Sequence, residues 1–282
     1  FAQFFETKEY IFKVRIKDSR LFLSSDIDSK EIDFTNREFS RGSLFEVELY
    51  KELINIPCKY DNSLCNVALK MIKIPENERI DNLISKGIFI NSDIEVIAKK
   101  LTIIYDNMPL PVDHFNYCNG LINGNMRIIE SVIRNKNKKG FNNIYNAWSI
   151  LNNKTINLNI VFKNRQLENK VKTLHGDLSF QNTFIHNGRY IMIDPCVAFY
   201  DMYAIDILYQ FIDVIVELLR YKLDSLVTYL IKEYKRKIEE DISKELFDYY
   251  LFRHSLIRAT VNWIFEDPNY HEYLQIRNEY AL

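Results

Sequence analysis

His175-Gly176-Asp177-Leu178-Ser179-Phe180-Gln181-Asn182, with Ile193-Asp194-Pro195 beginning eleven residues past Asn182, is the stretch on which the reading of this chain turns. Apolar residues flank both pieces: Val171 and Leu174 before, then Phe184, Ile185, Tyr190, Ile191 and Met192 between them. Asn187-Gly188 is a two-residue hairpin signal. The pattern predicts strand, loop, strand, turn, strand. The loop carries a carboxylate and a carboxamide five residues apart, and the last strand ends on a second carboxylate. One Asp or Asn in a loop is most often a turn former. The order, spacing and strand context together suit phosphoryl transfer. There one Asp orients an acceptor hydroxyl, and hard oxygen ligands hold Mg²⁺ against the phosphates.

The 282-residue chain is long enough for a two-lobed unit, and at 47% hydrophobic residues it can build a sizeable core. A net charge of −1 provides no general basic field, which disfavours a nucleic-acid partner. No run of 18 apolar residues occurs, so no membrane partner is expected. Cys58, Cys65, Cys118 and Cys196 form no C-x-x-C pair and no Cys/His metal cluster; they read as reduced thiols of a cytoplasmic protein. The chain begins at Phe1, so a segment ahead of it, a signal peptide included, stays an open question.

Before the loop, Phe4-Phe5 and Tyr10 to Ile16 alternate as strands around a Glu6-to-Glu9 turn. Residues 36–54 show a helical spacing of Phe39, Leu44, Val47, Leu49 and Leu53. Residues 65–74 read as a strand ending at Pro75. Ser92-Asp93 cap a helix over Ile94 to Tyr105, residues 106–123 read as irregular, and residues 124–172 as mainly helical. Amphipathic helices are expected at about 203–220, 223–239 and 243–265. Strands cluster early and helices late. The fold class is α+β: a small β-rich lobe over 1–75, then a larger, mainly helical lobe over 76–282.

The loop and the Ile-Asp-Pro segment resemble the catalytic loop and metal segment of the aminoglycoside phosphotransferase family. This is the small-molecule branch of the protein-kinase-like fold, which reads H-G-D-L-x-x-x-N where protein kinases read H-R-D-L-x-x-x-N. Further pieces are similar to a bacterial subgroup: Asp33-Phe34-Thr35 with Arg37, Ala68 to Pro75, Phe199 to Tyr209, and Leu256-Ile257-Arg258-Ala259. The resemblance implies a two-lobed kinase-like fold that uses ATP or GTP and Mg²⁺. It implies that Asp177 orients the acceptor hydroxyl and takes its proton late. Asn182 and Asp194 would be the metal ligands. His175 would support the loop by hydrogen bonding, and Asp206 would brace the loop. Lys13 would contact the α- and β-phosphates, paired with Glu46; Arg15 and Glu48 are the rival pair. Backbone groups of the Leu69-to-Ile74 strand would meet the purine, with Met71 and Ile72 nearby. One departure stands out: residues 1–16 contain no glycine, so no Gly-rich phosphate loop is visible.

The leading reading is a phosphotransferase acting on a hydroxyl of an aminoglycoside, sugar or amino alcohol. The alternative is a pseudokinase that keeps the fold as a nucleotide-binding regulatory module. An acidic acceptor pocket would draw on residues such as Glu217, Glu239, Glu240, Asp241, Glu266 and Asp267, which the sequence does not place.

Overall fold

The computed structural model describes residues 2–15, 30–57, 64–111, 116–197, 204–238 and 243–279. The Cys58 and Glu239-to-Asp241 expectations, the Phe199-to-Tyr203 part of the family-like stretch and the Cys65 side chain lie outside them.

The small lobe is an antiparallel four-stranded sheet in the order β1-β2-β4-β3, with β1 Ala2–Glu6, β2 Tyr10–Arg15, β3 Tyr50–Pro57 and β4 Leu64–Ile72. The β1–β2 turn closes through the Thr7 hydroxyl, which accepts from the Tyr10 N–H at 3.0 Å. Helix α1, Lys30–Phe45, lies between β2 and β3 in sequence. The sequence reading extended a helix through Ile54, and here the structure corrects it. The chain leaves the helix after Phe45, and the Glu46 carbonyl accepts from the Leu49 and Tyr50 N–H groups. Tyr50 to Pro57 then pairs with β4 from Tyr50–Met71 to Pro57–Leu64. No Gly or Pro marks that stop. Pairing with a central strand overrides a helical spacing that had counted Leu44 and Val47, both exposed.

The larger lobe holds α2 Ile80–Ser85, α3 Asn91–Asn107, α4 Tyr117–Arg134, α5 Phe141–Asn157 and α6 Asn159–Leu167 before the loop. The region expected to be irregular up to 123 is therefore helical from Tyr117. Strand β5, Val171–Thr173, pairs with β8, Ala204–Asp206; β6, Thr183–His186, pairs with β7, Arg189–Met192. Helices α7 Ile207–Arg220, α8 Asp224–Ile238, α9 Lys244–Ile264 and α10 Tyr270–Glu279 follow.

Helix α7 is the axis of this lobe: every residue from Ile207 to Leu218 is buried. An all-round buried helix normally has no polar residues. This one carries Gln210, Asp213 and Glu217 on one stripe. The hairpin β6–β7 bridges the lobes: Phe184 and Ile191 share a cluster with Leu49, Tyr50, Leu69, Met71 and Ile74, while Tyr190 and Met192 belong to the large-lobe core.

Asp206 ends β8 and caps α7, accepting the Leu208 N–H at 2.8 Å. It also takes a two-pronged contact from Arg165 of α6, at 2.7 and 2.6 Å, and the Tyr250 hydroxyl at 3.0 Å. Removing one member of a buried ion pair leaves the other charge uncompensated, which costs about 3–5 kcal/mol. Arg165→Met should therefore lose stability of that order in urea unfolding, and a loss near zero would contradict the pairing.

Candidate active site

Lys13 and Arg15 stand two residues apart on β2, so their side chains leave the same face. That face meets α1, where Glu38 receives both: Lys13 Nζ donates to Oε1 at 2.9 Å and Arg15 Nη2 to Oε2 at 2.5 Å. Glu38 is 1% exposed, so an unpaired charge there would be costly. Lys13 also donates to Asp194 Oδ1 at 2.6 Å, and Arg15 Nη2 lies 3.6 Å from the same oxygen. Burial alone would favour neutral forms of Lys13 and Asp194. Their mutual attraction, with Glu38 and Arg15 beside them, outweighs it: the Lys13 ammonium is held above its usual range and the Asp194 carboxyl below.

The expected Lys13–Glu46 pair is thereby corrected. Glu46 sits one residue beyond the end of α1 and turns to the large lobe. It meets Lys100 Nζ at 2.9 Å and accepts the Met192 N–H at 3.3 Å. Glu48 is exposed, 3.5 Å from Arg189, so the rival pairing of Arg15 with Glu48 is absent too. The sequence reading missed Glu38. In the sequence it looks like one more charge on an amphipathic helix, and only the β2 face shows that it is buried.

Three turns of α7 hold the candidate loop. Gln210 Oε1 accepts the His175 N–H at 2.8 Å and the Gly176 N–H at 3.4 Å. Asp213 Oδ2 accepts the Leu178 N–H at 2.6 Å, and Glu217 Oε2 the Phe180 N–H at 3.4 Å. Burial pushes the Asp213 carboxyl up, but His254, Arg258 and the Leu178 N–H together bring it down to about 2. Asp206, expected to brace this loop, faces α6 and α9 instead, because it lies at the start of α7, a turn before the stripe. Gly176 has φ +79°, and a Cβ there would stand 2.7 Å from Ile205 Cδ1. A side chain at that position would be strained and would clash. From the other lobe, Arg41 on α1 donates to the Leu174 and Cys196 carbonyls at 2.8 and 2.6 Å, spanning both ends of the motif.

Asp177 is partly exposed, with Arg258 of α9 at its Oδ1. Asn182 and Asp194 are adjacent through the backbone, since Ile193 N–H donates to the Asn182 carbonyl at 2.9 Å. Asp194 adopts φ +59°, sparsely populated for a residue with a side chain, and its N–H is held by the Tyr50 hydroxyl at 3.1 Å. Gly42 leaves room for that tyrosine; an added Cβ would fall within the Tyr50 ring. The carboxamide and the 40%-exposed Asp194 carboxylate are hard oxygen donors of the kind Mg²⁺ takes.

In β4, Leu69, Lys70 and Met71 pair with β2 on one side and β3 on the other. Ile72 N–H goes to the Leu49 carbonyl and Lys73 N–H to the Glu9 carbonyl. The strand backbone expected to meet a purine is therefore occupied up to Lys73. Met71 is buried in the small-lobe cluster, and Ile72 is partly exposed.

The fold is shared with aminoglycoside phosphotransferases of known structure. The GDP complex of wild-type aminoglycoside 2'-phosphotransferase-IIIa aligns over 99% of this chain and 88% of its own, with TM-score 0.52 and 13% identity. The ADP-bound aminoglycoside phosphotransferase APH(2'')-Ib aligns over 100% of this chain and 94% of its own, also with TM-score 0.52 and 13% identity. No protein-family model matches the chain, and no curated protein matches it by sequence. Among the described residues, no helix is long and apolar enough to cross a membrane.

His175 supports the loop differently from the expectation. Its ring is fully buried, edge-on to Phe45 at 5.5 Å, and neither ring nitrogen has a hydrogen-bond partner. It packs rather than bonds. Burial is the main cause of a pKa lowered to about 4, against the opposing pull of Asp177, Asp213 and Asp194. The unfolded chain then binds the proton more tightly than the folded one. The His175 contribution to stability is present above about pH 6.5 and is lost as pH falls toward 4. His175→Leu should flatten the stability-versus-pH curve across that window by up to about 3 kcal/mol. Parallel curves for the two proteins in denaturant titrations would refute the assignment.

Proposed function

We propose that this chain is an ATP- and Mg²⁺-dependent phosphotransferase, GTP being the other candidate donor, that moves the terminal phosphoryl group onto a hydroxyl of a small molecule. The observation that carries the reading is the meeting of Lys13 with Asp194 at 2.6 Å, across 181 residues, next to the loop that bears Asp177 and Asn182. The kinase-like fold, shared with structures solved with GDP and ADP, supports it.

In this reading residues 1–75 bind the nucleotide, and residues 76–282 carry the chemistry and the acceptor. Lys13 binds phosphate oxygens, and Arg15 beside it on β2 adds a second cation. Purine-edge contacts fall at Ile74, past the occupied backbone of β4. Asn182 and Asp194 would hold Mg²⁺, which when bound offsets charge on the phosphates. Asp177 aligns the acceptor hydroxyl and takes its proton as the new O–P bond forms. A carboxylate suffices because a loose transition state asks for positioning more than for a strong base. The acceptor is an aminoglycoside, a sugar or an amino alcohol. The free thiols of Cys118 and Cys196 suit a reducing cytoplasm. The pseudokinase reading draws support from the absence of glycine in residues 1–16.

ATP with Mg²⁺ should raise the melting temperature, with EDTA cancelling much of the rise, because only the folded chain has the site. No shift at millimolar nucleotide would refute nucleotide binding; a shift without turnover on any acceptor favours the pseudokinase. Asp177→Asn should keep nucleotide affinity and lose on the order of 10²–10⁴ in turnover, measured as ADP release with an acceptor panel. Asp194→Asn should weaken Mg²⁺-dependent nucleotide binding as well; equal losses of binding in both variants would refute the division of roles. Arg15→Met should weaken nucleotide affinity about tenfold by calorimetry, the worth of one charge-assisted hydrogen bond. Unchanged affinity would remove Arg15 from the phosphate site.

A further inference from the structure

Arg258 reaches Asp177 from α9, eighty-one residues on, and places Nη2 against Oδ1. The same Nη2 stands 3.6 Å from Asp213 Oδ1, and Nε 3.9 Å from Glu217 Oε1. Those two acids are buried, and both accept N–H groups of the loop that carries Asp177. One guanidinium is thus held at Nε by His254, 3.3 Å away, and flanked by two carboxylates that fix the loop, and its Nη2 goes on to the third.

The contact divides the two oxygens of Asp177. Oδ1 takes Arg258 and, at 3.4 Å, the Ser179 N–H. Oδ2 has no hydrogen-bond partner among the described residues, and the carboxylate is 30% exposed. A carboxylate on a two-bond stem turns freely unless one oxygen is held, and a hydroxyl is aligned only if the accepting oxygen stays in place.

We propose that Arg258 is a positioning residue for phosphoryl transfer: it pins Asp177 Oδ1, so that Oδ2 alone is offered to the acceptor hydroxyl. This rests on the phosphotransferase reading. It also gives Leu256-Ile257-Arg258-Ala259, noticed in the sequence only as family-like, a mechanical purpose. The planar fork of an arginine matters here, because a lysine ammonium spans three carboxylates less well.

The test compares Arg258→Met and Arg258→Lys with the wild-type chain. Displacing a reacting group by about 1 Å costs on the order of 10²-fold. Arg258→Met should lower kcat by about that factor with KM for nucleotide unchanged, and Arg258→Lys should recover part of the loss. A role confined to folding would instead lower the melting temperature without splitting kcat from KM. Crystal structures supply a readout independent of turnover: in Arg258→Met the Asp177 carboxylate should leave the orientation it has beside Arg258. An unmoved carboxylate, or a wild-type kcat in Arg258→Met, overturns the proposal. If Arg258→Met does not fold, Arg258→Lys carries the test, with near-native stability, reduced kcat and a displaced carboxylate expected, and native values of all three refuting it. If the wild-type chain phosphorylates no acceptor, the phosphotransferase reading fails, and the carboxylate's orientation still decides the claim about Arg258.

Discussion

A loop sunk into a helical lobe must find partners for its N–H groups, and the stripe of Gln210, Asp213 and Glu217 meets that need. Spaced at i, i+3 and i+7, these residues lie along one side of α7. They catch the N–H groups of His175, Gly176, Leu178 and Phe180 in succession. Buried carboxylates cost several kcal/mol unless paired. Here the pairing is shared among the loop, His254 2.7 Å from Asp213, the Tyr273 hydroxyl 2.7 Å from Glu217, and Arg258. The loop's shape and the solvation of these acids are one arrangement, so neither can be altered alone.

The second organising element is the economy of cations at the small lobe. Glu38 divides its oxygens between Lys13 and Arg15, and Asp194 takes what Lys13 has left. Two positive and two negative groups leave the cluster balanced. A polyphosphate arriving there would meet two cations already oriented by a carboxylate that is nearly inaccessible to water.

What was legible in the sequence was whatever is local. The His175-to-Asn182 loop, the hairpin after it and most helices of the larger lobe have short-range signatures and stand close to where the pattern puts them, although α4 starts already at Tyr117 and α10 has no counterpart in the pattern. What was not legible depends on faces that meet over long separations. Glu46 and Glu48 are the acids the spacing suggests; the end of α1 at Phe45, enforced by the pairing of β3 with β4, puts both beyond the helix and leaves Glu38 facing β2. Asp206 and Asp213 both precede or occupy the same helix, and only the rotation of α7 assigns one to Arg165 and the other to the loop. His175 has two ring nitrogens that invite a hydrogen bond, yet its surroundings supply an aromatic edge.

The two-sided packing of the β6–β7 hairpin has a mechanical consequence. Phe184 and Ile191 pack with Leu69 and Met71 while Tyr190 and Met192 sit in the large-lobe core, so the hairpin is pinned from both sides. Asp194 is pinned likewise: its N–H hangs from Tyr50, and the Cys196 N–H two residues on donates to the His175 carbonyl at 2.9 Å, in the loop that carries Asp177. A displacement of one lobe against the other would therefore be felt at Asp194 and at the Asp177 loop together. The molecule is then built less as two jaws than as a single clamp, with the thirteen residues from Asn182 to Asp194 as the rivet between sheet and helices.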